Sequence, residues 1–211
     1  SHISKHSVEE VKDHILTKNP DIIAIELDRS RAHALLSKKK KIKLKDIKKI
    51  GVTGIIFGLI AGYIEKKLGK LVKTKPGSEM LIAIKLAKKE NIIILLMDQD
   101  IRITLKKISK GMPLKEKLKF LKDLIFSKTN QKELEKIDIS KVPTDKIIEE
   151  MTKEFKKRYP TLYKILITER NEIMAKNLNN LIINNKDKKI LAIMGAGHKK
   201  EIEKILKNGN I

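Results

Sequence analysis

Gly195-Ala196-Gly197-His198 follows directly on Lys188-Lys189-Ile190-Leu191-Ala192-Ile193-Met194, a run with no turn residue that reads as a buried, parallel-type strand. His198 therefore falls at a strand-to-helix turn, where glycines let the backbone bend and helix amides point at a ligand. In open α/β sheets, ligands bind just beyond the carboxyl ends of the strands. Three more polar residues stand at ends of strand-like runs: His2 near the N-terminus, Glu26 after Asp21-Ile22-Ile23-Ala24-Ile25, and Asp98 after the apolar run from Asn91 to Met97. Two histidines with a carboxylate suit a first-row divalent ion with open positions. Such an ion makes water a nucleophile near neutral pH. Arg31, Arg102 and Arg170 are candidates to bind a substrate carboxylate or to steady an oxyanion. A metal-free anion site, in which His198 and helix amides hold a carboxylate or phosphate, accounts for the same residues. Spacing does not choose between the two, because no ligand pair sits at a diagnostic i, i+4 interval.

The elements that must position these residues follow from periodicity. Val8, Val11, Ile15 and Leu16 share one helical face, and Ser7 with Glu10 has the pattern of a capping box, so 7–18 reads as a helix that Asn19-Pro20 breaks. With His2 at a strand end, the start of the chain reads as strand, helix, strand, the first strand cut short. A helix begins at Asp28, and a long helical stretch covers 42–72. Within it, Ile50 to Ile64 is almost wholly apolar, with Gly54, Gly58 and Gly62 four residues apart. At about 22 Å this run is short for a membrane crossing, and small residues at that spacing let two helix backbones approach. It is expected to form a helix–helix contact and to make the protein at least a homodimer.

Lys75-Pro76-Gly77-Ser78 is a turn, with Gly77 or Ser78 capping a helix that runs to Lys89. From Ile101 to Asn185 the pattern is helical, interrupted at Gly111-Met112-Pro113, Thr129-Asn130, Val142-Pro143-Thr144 and Tyr159-Pro160. The expected fold is α/β: a central parallel or mixed sheet including 21–27, 91–97 and 189–194, flanked by helices, with a large helical lobe inserted before the last strand. The whole of 1–211 is expected to be one domain, with helical insertions at 42–72 and 101–185.

Composition narrows the function classes. The 211 residues carry a formal charge of +22 and no cysteine, which excludes disulfides and thiolate metal sites. Of the basic residues only five are arginine, at 29, 31, 102, 158 and 170, and the lysines spread over nearly every helix. With seven aromatic residues that do not interleave with the basic runs, nucleic-acid binding is not expected. In so lysine-rich a chain, each arginine marks a place where a planar, bidentate donor matters.

Six segments in order resemble the TraB/PrgY (pheromone-shutdown) family, which is similar to the Tiki proteases and to the ChaN and erythromycin-esterase group. They are Ser1-His2-Ile3-Ser4, inside the first Gly-x-x-His; Pro20 to Leu27, with Arg31 four residues on; Lys75 to Met80; Asp98-x-Asp100-Ile101-Arg102-x-Thr104; Glu169-Arg170-Asn171-x-x-Met174-Ala175; and the second Gly-x-x-His at Gly195 to His198. The resemblance covers nearly the whole chain. It implies a catalytic set of Glu26, Glu79, Arg31, Arg102, Glu169, Arg170 and His198, around a divalent ion (Mn, Co or Zn) held by His2, Glu26 and His198. Residue by residue, Glu79 reads equally well as a complement to a helix dipole, and Glu169 and Arg170 as a mid-helix salt bridge. The implied function is a metal-dependent hydrolase acting on peptides. A non-catalytic peptide-binding or membrane-tethered regulatory domain is the alternative. Family members continue into membrane helices, so the expectation is a soluble, cytoplasmic domain of a membrane protein, tethered through regions missing from this chain.

Overall fold

The computed structural model describes residues 2–37, 77–126 and 145–209. Its centre is a three-stranded parallel sheet of β1 (Ile22–Ile25), β2 (Ile93–Leu96) and β3 (Ile190–Ile193), in the order β2-β1-β3. Ile22 pairs with Ile93 on one side and Ile190 on the other, and the register holds through Ile25, Leu96 and Ile193. All three expected strands thus share one sheet and run the same way, as an α/β fold requires. Each is shorter than the stretch expected for it, and the pairing ends before Glu26, Asp98 and Gly195.

Among the described residues the helices are α1 (His2–Lys18), α2 (Arg29–Leu36), α3 (Ser78–Lys89), α4 (Ile101–Gly111), α5 (Leu114–Phe126), α6 (Asp145–Arg158), α7 (Pro160–Tyr163), α8 (Glu169–Asn184) and α9 (Ala196–Lys207), with a π-helical turn, Lys164–Thr168, joining α7 to α8. β1 is buried at every position because both faces are covered. Ile23 and Ile25 meet Ile15 of α1 and Ala83, Ile84 and Ala87 of α3. Ala24, on the opposite face by the two-residue period of a strand, meets Met174, Ala175 and Leu178 of α8 and Ile202 of α9. Each fully buried isoleucine contributes about 1.5–3 kcal/mol from removing its surface from water. A third cluster, Ile108, Met112, Tyr159, Leu162 and Ile165, holds α4 against α7 and the π-turn.

Two sequence expectations change here. His2 opens α1 instead of ending a strand, so the chain begins helix-then-strand, and Ser7 and Glu10 lie inside that helix. The apolar face that marks 7–18 does not register the five residues of helix before it, four of them polar. Gly77 caps α3 with φ +84, a left-handed conformation that side chains resist, and an added Cβ would lie 3.2 Å from Leu35. The 42–72 helix, with Gly54, Gly58 and Gly62, lies outside the described residues, as do the breaks at 129–130 and 142–144. Among the described residues, no helix is long and apolar enough to cross a membrane.

Candidate active site at the strand ends

Each strand delivers one group to the same place. β1 ends in Glu26, β2 leads through Met97 to Asp98, and β3 leads to Gly195, the N-cap of α9. Helix α8 contributes Arg170 and Asn171 to the same place, and α2 contributes Arg31. Arg170 is the hub. Its Nη2 donates to Glu26 Oε1 and Asp98 Oδ2, both at 2.6 Å, its Nε to Asp98 Oδ1 at 3.1 Å, and its Nη1 to the Leu166 carbonyl in the π-turn at 2.9 Å. All three guanidinium nitrogens are engaged and the side chain is 13% exposed. The planar fork explains why arginine, and not lysine, stands here.

Arg31 closes the other side. Its Nε donates to Asp28 Oδ2 at 2.7 Å and its Nη2 to Asp98 Oδ2. Asp28 also caps α2, accepting from the Ser30 and Arg31 amides, a second use of one carboxylate. Arg31 Nη1 has no partner among the described residues, and the side chain is 31% exposed, so it keeps spare N–H donors. Burial alone would push the Asp98 carboxyl up. The hydrogen bonds and charge of Arg170, the charge of Arg31 and the Gln99 amide outweigh it and hold Asp98 below the usual range.

Gly195 donates its N–H to Glu26 Oε2 at 2.7 Å. Its φ of −63 is open to any residue; what requires glycine is space, since a Cβ would lie 3.3 Å from that oxygen. His198, buried on the first turn of α9, has Nδ1 2.5 Å from Asn171 Oδ1 and Nε2 3.3 Å from Glu26 Oε1. Burial, joined by the positive charges of Arg170 and Arg31, lowers its pKa despite Glu26 and Asp98, so the ring is neutral at neutral pH.

Glu26, Arg31, Arg170 and His198 are therefore brought together, with Asp98 between the arginines. Glu169 stands beside them, ion-paired at 2.5 Å with Lys107, whose Nζ also lies 3.4 Å from Gln99 Oε1. Arg102 pairs with Asp100 at the start of α4 and is 81% exposed, outside the buried set. Glu79 occupies the first turn of α3 and bonds to none of these groups among the described residues. His2 is the first residue of α1, and its side chain lies outside those described. Asp28 and Asn171 join the site without being among the expected site residues. The signal for Asn171 was its place beside Arg170 in a motif already singled out; Asp28 reads in sequence as an ordinary helix cap.

Three carboxylates, Glu26, Asp28 and Asp98, face two guanidiniums, Arg31 and Arg170, which leaves one formal negative charge beside a neutral imidazole. The 3.3 Å between His198 Nε2 and Glu26 Oε1 falls within the roughly 3.0–3.4 Å that separates neighbouring ligands each about 2.1 Å from one ion. These two donors and the local charge fit one edge of a divalent metal's shell. Among the described residues, no group of three or more His, Asp and Glu could hold an ion, so a complete set needs a further donor such as His2.

The sequence profile of the TraB/PrgY/gumN family matches residues 1–208. A protein of Methanocaldococcus jannaschii, described as uncharacterized, is 38% identical over 218 residues, covering 100% of this chain and 53% of the relative. The chain thus spans about half the length of the curated relative it matches. Since the match takes in every strand and every residue of the strand-end cluster, the chain belongs to the TraB/PrgY/gumN family.

Proposed function

We propose that the strand-end cluster is the centre of a divalent-metal-dependent hydrolase acting on peptide-type bonds. The observation that carries this reading is the His198–Glu26 donor pair, 3.3 Å apart at the edge of a buried set with one uncompensated negative charge. His198 Nε2 and Glu26 Oε1 would hold the ion (Mn, Co or Zn) with His2 as third ligand. When bound, the ion supplies Lewis acidity toward a carbonyl and makes water nucleophilic near neutral pH. The chain's own residues do the rest. Arg170 fixes the Glu26 and Asp98 carboxylates, and the Gly195 amide locks the second Glu26 oxygen. Arg31 has more spare donors, so oxyanion stabilisation falls to it and not to Arg170, which uses four of its five N–H groups. Arg102 and Glu79, outside the buried set, are the residues proposed to contact the peptide itself.

For the longer protein we carry forward membrane attachment through regions outside this chain, a homodimer through the helix bearing Gly54, Gly58 and Gly62, and no nucleic-acid partner. The test is metal analysis and cleavage of a mixed peptide set by the chain and by the longer protein, each beside His198→Ala. Expected are one divalent ion per chain, and cleavage lost with a chelator and in the variant. No ion and no cleavage in the longer protein rejects the hydrolase. Tight peptide binding without turnover, indifferent to chelators, would show the non-catalytic peptide-binding domain instead.

A further inference from the structure

We propose that Asn171 is a positioning residue that sets the tautomer of His198, holding its proton on Nδ1 and leaving the Nε2 lone pair turned toward Glu26. Asn171 is wholly buried on α8, with Oδ1 2.5 Å from His198 Nδ1. Two acceptors cannot face each other at that distance, so a proton lies between them. The atom facing Nδ1 is the amide oxygen, which can only accept, so the donor is Nδ1–H. A neutral ring has one proton, and this bond uses it.

The other end of the ring agrees. Glu26 needs no proton from His198, because its Oε1 already accepts from Arg170 at 2.6 Å and its Oε2 from Gly195 at 2.7 Å. Packing alone does not account for an amide here. Asn171 Nδ2 is buried with no hydrogen-bond partner, a costly arrangement that an apolar side chain of similar volume would avoid. What the amide supplies in return is one correctly placed acceptor. Histidines that bind a ligand through one nitrogen commonly have the other N–H held by a carbonyl in this way.

The inference deepens the proposed function, in which Nε2 is the working atom, yet its test needs neither metal nor turnover. Long-range 1H–15N correlation spectra of the 15N-labelled, chelator-treated protein report which imidazole nitrogen carries the proton, and the His198 signals are those lost in His198→Gln. The expected result is a protonated Nδ1 and a bare Nε2. Asn171→Leu, which removes the acceptor, is expected to exchange the two nitrogen shifts, moving the proton to Nε2 and Glu26; Asn171→Asp, which keeps an acceptor, is expected to retain the original pattern. A wild-type His198 protonated on Nε2 overturns the inference, and so does an unchanged pattern in folded Asn171→Leu. Should Asn171→Leu not fold, the wild type and Asn171→Asp still decide. A protonated Nδ1 in a protein that takes up no metal would retire the hydrolase and leave this role standing.

Discussion

Arg170 and Arg158 are both arginines clamped to carboxylates, and they live under different physics. Arg170 is 13% exposed, spans Glu26 and Asp98 from two strands, and has no spare nitrogen. Arg158 is 45% exposed and holds one carboxylate, Asp123, at 2.7 Å, between α6 and α5. Tyr159 adds its hydroxyl to Asp123 and packs its ring edge-on to Phe120, with centroids 5.3 Å apart. In the lobe, aromatic packing does the holding and the charges decorate it. At the strand ends the charges themselves fill the space where a core would be. The same side chain therefore reads as structural in one place and as part of a site in the other, and burial makes the difference.

The sharpest way to break this contrast is to delete each hub. Arg170→Met leaves two buried carboxylates short of a partner and is expected to cost about 3–5 kcal/mol, read from urea unfolding. Equal losses for Arg170→Met and Arg158→Met would show that the two clusters are not different in kind.

A second test uses pH, because the regions fail at opposite ends. His198 and Asp98 both titrate below their ordinary values of 6.5 and 3.8. The folded state then binds fewer protons than the unfolded one in those windows. Stability is full above pH 6.5, falls as His198 is forced to charge, and falls again below 3.8 as Asp98 is protonated. Tyr159 is pushed up to about 12 by burial and by its bond to Asp123, so its contribution is lost as pH rises from 10 toward 12. Thermal melting in chelator is expected to show the mild-acid loss vanish in His198→Gln and the alkaline loss vanish in Tyr159→Phe. Any other pairing of variant and slope breaks the comparison.

Smaller effects should follow exposure. Arg158→Met is expected to cost no more than about 1 kcal/mol, since an exposed pair is screened by water and salt. Arg102→Met, at 81% exposure, should leave the unfolding midpoint unchanged.

The fold was readable because its signals are local. Continuous apolar runs ending in polar residues gave the strands and their carboxyl ends, and the site lay where those ends had to meet. Glu26 stands out at a strand end and Arg170 in a motif, yet their bond joins residues 144 apart, which periodicity cannot show. Asn171 escaped notice because a buried amide in a helix looks, as sequence, like any surface asparagine. His2 was placed on a strand by analogy with the other histidine, and the polar first turns of α1 gave no helical signal against it. Arg102 and Arg170 look equivalent as acid-flanked arginines; only packing separates the exposed one from the buried one.

The order of the strands has a consequence for how the chain is born. β1 is made early, but its two sheet neighbours arrive late, and Ile22 waits for Ile190. Glu26 leaves the ribosome 144 residues ahead of Arg170, roughly 7–30 s at 5–20 residues per second. During that interval the central strand has an open edge and its carboxylate has only water for company. Closing so long a loop is slow and costs entropy before any contact rewards it. The strand-end cluster is thus among the last things to form, and a chain released before α8 and β3 emerge would carry the carboxylates of the site without the arginine that holds them.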